Sequence, residues 1–144
     1  MSVYAYLRVS TLDQDNDKFK LDLLEYANSK TLGQIEFVEE KITGTKHWRQ
    51  RKLGELLSQL VSGDILLVPE LSRLARSIAQ IYEIINECIE KGITIHILKQ
   101  NMVIGNGKMD MTTKVMLSTF SMIAELERDF ISIRTKEALA SKKK

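Results

Sequence analysis

Tyr4-Ala5-Tyr6-Leu7-Arg8-Val9-Ser10-Thr11 reads as a strand that is apolar along most of its length and ends on hydroxyls. Side chains two apart along a strand point to the same side. Arg8 and Ser10 are therefore expected to stand side by side at the strand's exit. A guanidinium beside a hydroxyl is the pairing a serine needs to attack a phosphate. Arginine keeps its charge at any working pH, and its planar fork grips two phosphate oxygens.

Outward from that strand, helices and strands alternate. Phe19, Leu23, Leu24 and Ala27 have helical spacing and predict a helix over Asp17–Ser29. Glu36–Glu39 reads as a short second strand. Leu53, Leu56, Leu57 and Leu60 mark a helix that ends before Gly63-Asp64. Ile65–Val68 is continuously apolar, as a strand covered on both faces must be. Ser77-Ile78-Ala79-Gln80 matches a capping box, and Ile78, Ile81, Ile85 and Cys88 share one face of the helix it opens. Gly92 falls where a helix C-cap belongs. Ile93–Leu98 is a fourth strand. Asn101–Lys108, with two glycines, reads as a mobile loop, and a long helix runs from Met111 toward Ala140. This order predicts an α/β fold with a mostly parallel central sheet flanked by helices. Ligands of such sheets bind beyond the carboxyl ends of the strands. Ser10 follows the first strand there, and Pro69–Arg76 follows the third.

Composition sets outer bounds. The 144 residues fit one ordinary domain, and 44% hydrophobic with 28% charged residues supports a globular core. No apolar run approaches the roughly 20 residues of a membrane span, and no signal peptide is visible, so a cytoplasmic location is expected. Cys88 is the single cysteine, which rules out an internal disulfide and a cysteine metal cage. The formal net charge is only +2, but the basic residues cluster. Lys46, Arg49, Arg51 and Lys52 fall in one loop without an acid. From Arg128 to Lys144, six basic residues face Asp129 and Glu137. Two such clusters on a balanced domain point to a polyanion; each alone reads better as a solvated face or tail. Between Val115 and Leu126 the last helix is apolar around most of its circumference, more than packing on one domain requires. The surplus predicts a partner helix from a second copy.

These residues together resemble the resolvase/invertase family of serine recombinases. The resemblance rests on Tyr6-Leu-Arg8-Val-Ser10-Thr11, Gly44-Thr-Lys, Gly63-Asp-Ile-Leu-Leu-Val, Ser72-Arg73-Leu-Ala-Arg76 and Ala124-Glu-Leu-Glu127-Arg128-Asp129. It covers essentially the whole chain. It implies a catalytic α/β domain over residues 1–110. Residues 111–144 would form a long helix for oligomerisation and DNA contact, with the family's helix-turn-helix domain expected to be absent. It implies site-specific cleavage and strand exchange on double-stranded DNA through a 5′-phosphoserine intermediate. Homodimers would pair into an active tetramer, in a bacterial, phage or mobile-element setting at the nucleoid. The ester conserves bond energy, so rejoining needs no cofactor.

The resemblance places the nucleophile on Ser10 and its companions on Arg8, Arg73 and Arg76. A further arginine comes from the loop after the second strand. The family's R-P-x-L-x-x-L-L pattern is shifted by one residue here, leaving Arg51 as first choice and Arg49 as the alternative. Gln14 and Ser72 are further candidates for catalysis or DNA contact. Glu127, Arg128, Arg134 and Lys136 belong to the DNA-contacting, oligomer-forming helix. The chain departs from the pattern at Ser72, where the family carries an acid, at Ala75 in place of glycine, and at Phe19 in place of a glutamine. The lost acid leaves an arginine to be oriented, a role Ser72 is expected to take through a neutral hydrogen bond.

Simpler readings cover the remaining residues. His96 alternates within an apolar strand and reads as a satisfied core histidine. His47 is expected in solvent, Trp48 packed onto the domain, and Cys88 in the core. Asp13-Gln-Asp15-Asn-Asp17 begins like a calcium loop but has Lys18 at the glycine position and Leu24 at the glutamate position. Gly107-Lys108 lacks the other parts of a phosphate-binding loop. No metal is expected. Two rivals to the recombinase remain: a non-catalytic DNA-binding or regulatory dimer with this fold, and an α/β domain that binds a phosphorylated small molecule.

Overall fold

A computed structural model describes residues 2–9, 13–41, 47–75, 77–105 and 111–142. Strand β1 (Val3–Val9) lies inside a five-stranded sheet of order β2-β1-β3-β4-β5. Its neighbours β2 (Glu36–Lys41) and β3 (Ile65–Val68) run parallel to it, and β4 (Thr94–Ile97) runs parallel to β3. The expected mostly parallel sheet is present. Asp64 fixes its amino edge: the carboxylate accepts from the Ser2 and Val61 amides at 3.0 and 2.9 Å. Those two bonds hold it below the usual carboxylate range.

β5 (Met102–Ile104) was not expected. It pairs antiparallel with β4 at the sheet edge, after a turn in which Asn101 takes a left-handed φ of 53°. The expected loop was read from its glycines. Met102-Val103-Ile104 is too short to show a period, yet Ile104 is fully buried. The remainder of that loop lies outside the described residues.

Helix α1 (Asp13–Ser29) starts four residues before the expected Asp17, and six before its apolar stripe begins at Phe19. Its first turn is polar in sequence, which a search for hydrophobic spacing does not register. α1 covers one face of the sheet. Leu23 and Ala27 pack there on Val3, Ala5, Leu7, Ile65 and Leu67. The opposite face receives α2 (Lys52–Gln59) and α3 (Ile78–Lys91). Ser77 caps α3 by accepting from the Gln80 amide at 3.1 Å. Gly92 ends it with φ 77°, a left-handed conformation that a side chain would resist. Trp48 and Cys88 are both buried in this core, as expected. Burial pushes the Cys88 thiol up to about 12, so it stays protonated and inert.

Helix α4 (Met111–Lys142) spans 32 residues, roughly 48 Å at the standard rise. Met116, Leu117 and Phe120 pack against the core and Ala124 is buried. Met111, Val115, Met122, Leu126, Phe130 and Ile133 are all at least half exposed. At 100° per residue these six fall within one stripe. The expected surplus apolar surface is therefore a continuous face. Among the described residues, no helix is long and apolar enough to cross a membrane.

Candidate functional site

The even-numbered residues of β1 face the α2–α3 side. Tyr6 is buried there, so Arg8 follows it on the same face at the carboxyl end. In the register with β2, Arg8 lies opposite Glu40. Glu40 is buried and both its oxygens are occupied. The Tyr6 hydroxyl donates to Oε1 at 2.7 Å, and the Lys52 amide donates to Oε2 at 2.7 Å. One carboxylate thus ties β1 to the first turn of α2. Burial and the Glu40 hydrogen bond push the Tyr6 phenol far up, against the opposing pull of Arg51 and Arg8. Both guanidinium groups therefore lie near that hydroxyl. Tyr6 and Glu40 escaped the sequence reading, because one looked like core and the other like the surface end of a strand.

Arg51 precedes α2 and is buried, with 8% exposure. Its Nη2 donates to the Leu74 carbonyl at 3.3 Å, which brings it against the loop that carries Arg73. Its Nε has no partner among the described residues. A buried guanidinium donor left open calls for an acceptor, and a phosphate oxygen is the acceptor a cationic corner receives. Arg49 behaves differently. It is exposed, pairs with Glu87 at 3.1 Å and stacks on the Trp48 ring at 4.5 Å.

The intervening turn is held firmly. Trp48 Nε1 donates to Glu83 at 3.0 Å, and Gln80 Oε1 accepts from the Trp48 amide at 3.4 Å. His47 is half-buried and not simply in solvent. Its Nδ1 accepts from the Arg49 amide at 3.2 Å, and Nε2 meets Glu83 at 3.2 Å. Gly54 lets this turn lie directly on α2, since a Cβ there would run into the Arg49 carbonyl.

Arg73 sits in a short 3₁₀ turn, Leu71–Arg73, beyond β3. Its Nε lies 3.4 Å from Glu70 Oε1, and its guanidinium carbon lies 4.8 Å from the centre of the Phe19 ring. Ser72 does not orient Arg73 directly, contrary to expectation; its hydroxyl donates to Glu70 Oε1 at 2.7 Å. The acid serving the arginine stands two residues earlier than the motif predicts. Its signal in the sequence was a carboxylate directly after the only proline. The other site departure, Ala75, is buried.

The structure thus places Arg8 at the carboxyl end of β1, Arg51 at the start of α2 against the Leu74 carbonyl, and Arg73 in the turn beyond β3. Ser10 follows β1 immediately, but it and Arg76 lie outside the described residues, as does the loop at 42–46. Gln14 falls in the first turn of α1. On α4, Glu127 is half-buried, Arg128 Nε donates to the Ala124 carbonyl at 3.4 Å, and Arg134 is exposed. Lys136 is on the same helix. Among the described residues, no group of His, Cys, Asp and Glu is placed to hold a metal.

Comparison with known proteins bears on the family and the fold. The family model described as "Resolvase, N terminal domain" matches residues 3–144. A resolvase of Clostridium perfringens is 35% identical over 96% of this chain and 70% of its own length. The serine recombinase PinR of Escherichia coli is 34% identical over 92% of this chain and 66% of its own. The chain thus spans about two thirds of these relatives. Among solved structures, a resolvase family site-specific recombinase from Streptococcus pneumoniae superposes with TM-score 0.69 at 25% identity. That match covers 99% of this chain and 97% of the other. The catalytic domain of TP901-1 integrase shares the fold, with TM-score 0.68 at 22% identity over 90% of this chain and 98% of its own.

Proposed function

Because this chain belongs to the resolvase family and is a site-specific DNA recombinase, we propose that its reaction runs through Ser10. The Ser10 oxygen attacks a DNA phosphorus. The bond to the 3′ oxygen breaks, that oxygen leaves as a hydroxyl, and a 5′-phosphoserine ester remains. Attack of a 3′ hydroxyl on the ester reverses the step and rejoins the strand.

Charge gathers on the phosphate oxygens during attack, and fixed positive donors lower that barrier. Arg8, Arg51 and Arg73 are the donors, with Arg76 as a fourth. The observation that carries the reading is the convergence of buried and half-buried arginines on one sheet edge directly beside the serine's strand. The open Nε of buried Arg51 supports it most closely. Arg49, paired outward with Glu87, is the weaker alternative.

The substrate is double-stranded DNA and the protein acts as an oligomer. Residues 1–110 form the catalytic unit. The helix over 111–144 joins copies through its apolar stripe, and Glu127, Arg128, Arg134 and Lys136 serve that helix and the DNA beside it. Homodimers pair into a tetramer for double-strand exchange, in the cytoplasm at the nucleoid.

The test joins the 144-residue chain to a DNA-binding domain of known site and incubates it with nicked target DNA. A covalent protein–DNA adduct is expected on a denaturing gel, and Ser10→Ala is expected to abolish it. An adduct that persists in Ser10→Ala contradicts the mechanism. Binding with no adduct favours a regulatory dimer.

A further inference from the structure

The reaction asks Arg73 to hold a phosphate, and Arg73 is itself held. Glu70 Oε1 lies 3.4 Å from its Nε, the inner nitrogen, an ion-pair contact without hydrogen-bond geometry, while Phe19 lies against its face at 4.8 Å. The side chains of the ion pair are 20% and 17% exposed, so water and salt screen it less than an open surface pair. Glu70 is fixed in turn. Ser72 donates to its Oε1, and Lys99 lies 3.3 Å from its Oε2. The Ser72 hydrogen bond first, then Lys99 and Arg73, hold this carboxyl below its ordinary range, so it is an anion at working pH. The turn around it is stitched to the one after β4. The Leu71 amide donates to Gln100 Oε1 at 3.3 Å, and the Lys99 amide to the Pro69 carbonyl at 2.9 Å.

We propose that Glu70 is the positioning residue for Arg73: with the Phe19 ring it holds the guanidinium by its inner edge and presents the terminal nitrogens to the scissile phosphate. The inference rests on the recombinase reading above. It also accounts for two departures at once. Ser72 stands where the motif carries an acid, and Glu70 supplies a carboxylate two residues earlier. Phe19 stands where a glutamine is common, and its ring gives the cation a face to rest on. A long arginine side chain left to its own rotamers would miss the phosphate by an ångström or more, and misplacement of that size lowers rates about 100-fold.

Two readouts test it. In the fusion described above, Glu70→Ala is expected to slow adduct formation about 100-fold. The double variant Glu70→Ala/Ser72→Asp, which returns a carboxylate beside Arg73, is expected to recover about tenfold of that loss. In parallel, NMR of the ¹⁵N-labelled chain follows the Arg73 Nε–Hε signal. It is expected to be displaced from the free-arginine position, to collapse toward it in Glu70→Ala, and to return in the double variant. Should Glu70→Ala fail to fold, the isosteric Glu70→Gln carries the same expectations. A Glu70 variant that reacts at the unsubstituted rate or faster overturns the proposal, since a faster reaction would make Glu70 a latch. An unmoved Arg73 signal overturns it as well. If the unsubstituted fusion gives no adduct, the recombinase reading itself fails, and with it any catalytic role for the pair, whatever the NMR shows.

Discussion

Arg51 and Arg49 lie two residues apart in one loop and meet opposite fates. Arg51 turns inward to the Leu74 carbonyl, while Arg49 lies out along α3 against Glu87. Sequence alone left the choice between them open, because the motif is shifted by one residue and both are equally basic. What separates them is the seat of Trp48 on Glu83 and Gln80, a tertiary contact with no local signature. Arg51→Ala is expected to slow adduct formation about 100–1000-fold, the usual loss for one transition-state donor. Arg49→Ala, which removes an exposed pair, is expected to slow it by less than about tenfold. Rates from the denaturing-gel assay check both.

His96 gives a pH prediction. It is buried, its Nδ1 lies 2.6 Å from the Tyr26 hydroxyl, and burial, then the nearby Lys30 charge, depress its pKa. The folded chain therefore binds this proton less readily than the unfolded chain. Stability from neutral His96 is complete above the unfolded value, near 6.5, and is lost as pH falls through the lower folded value. Melting temperature is expected to drop as pH falls below about 6.5, and His96→Phe is expected to flatten that slope.

At the scale of elements, α4 makes the clearest prediction. Met122 and Leu126 are 65% and 50% exposed on its free stripe, so substitution there leaves the fold intact. Removing two such side chains from an interface forfeits roughly 3 kcal/mol or more, over 100-fold in Kd. The double variant Met122→Lys/Leu126→Lys is expected to sediment as monomer at concentrations where the unsubstituted chain is dimeric. Among the described residues, four strands were legible as short, largely apolar runs and the four α-helices mainly from apolar spacing, while the 3₁₀ turns at Trp48–Gln50 and Leu71–Arg73 were not. β5 was not, because three residues carry no period and its pairing to β4 is non-local. The early start of α1 was missed because its first turn is polar. The site was legible where the chemistry is contiguous, as in Arg8-Val-Ser10 and Ser72-Arg73. It was not legible where partners are distant, as with Glu40 under Tyr6 or Phe19 under Arg73. Those pairs exist only once the sheet has assembled.

For the whole molecule, the parallel sheet gathers cations from separate stretches of chain onto one edge. β1 brings Arg8, the start of α2 brings Arg51, and the turn beyond β3 brings Arg73. Carboxylates stand beside two of the approaches, buried Glu40 between Tyr6 and the Lys52 amide and half-buried Glu70 next to Arg73. The long helix leaves that body carrying an apolar stripe suited to another copy. The proposed reaction puts chemistry at the sheet edge and assembly on α4, and its centre is a covalent bond to one serine. The most direct measurement is mass spectrometry of the trypsin-digested protein–DNA adduct. The account predicts a nucleotide phosphate on the Val9–Lys18 peptide, localised by fragmentation to Ser10. A phosphate localised to Thr11, or to any other peptide, would contradict it.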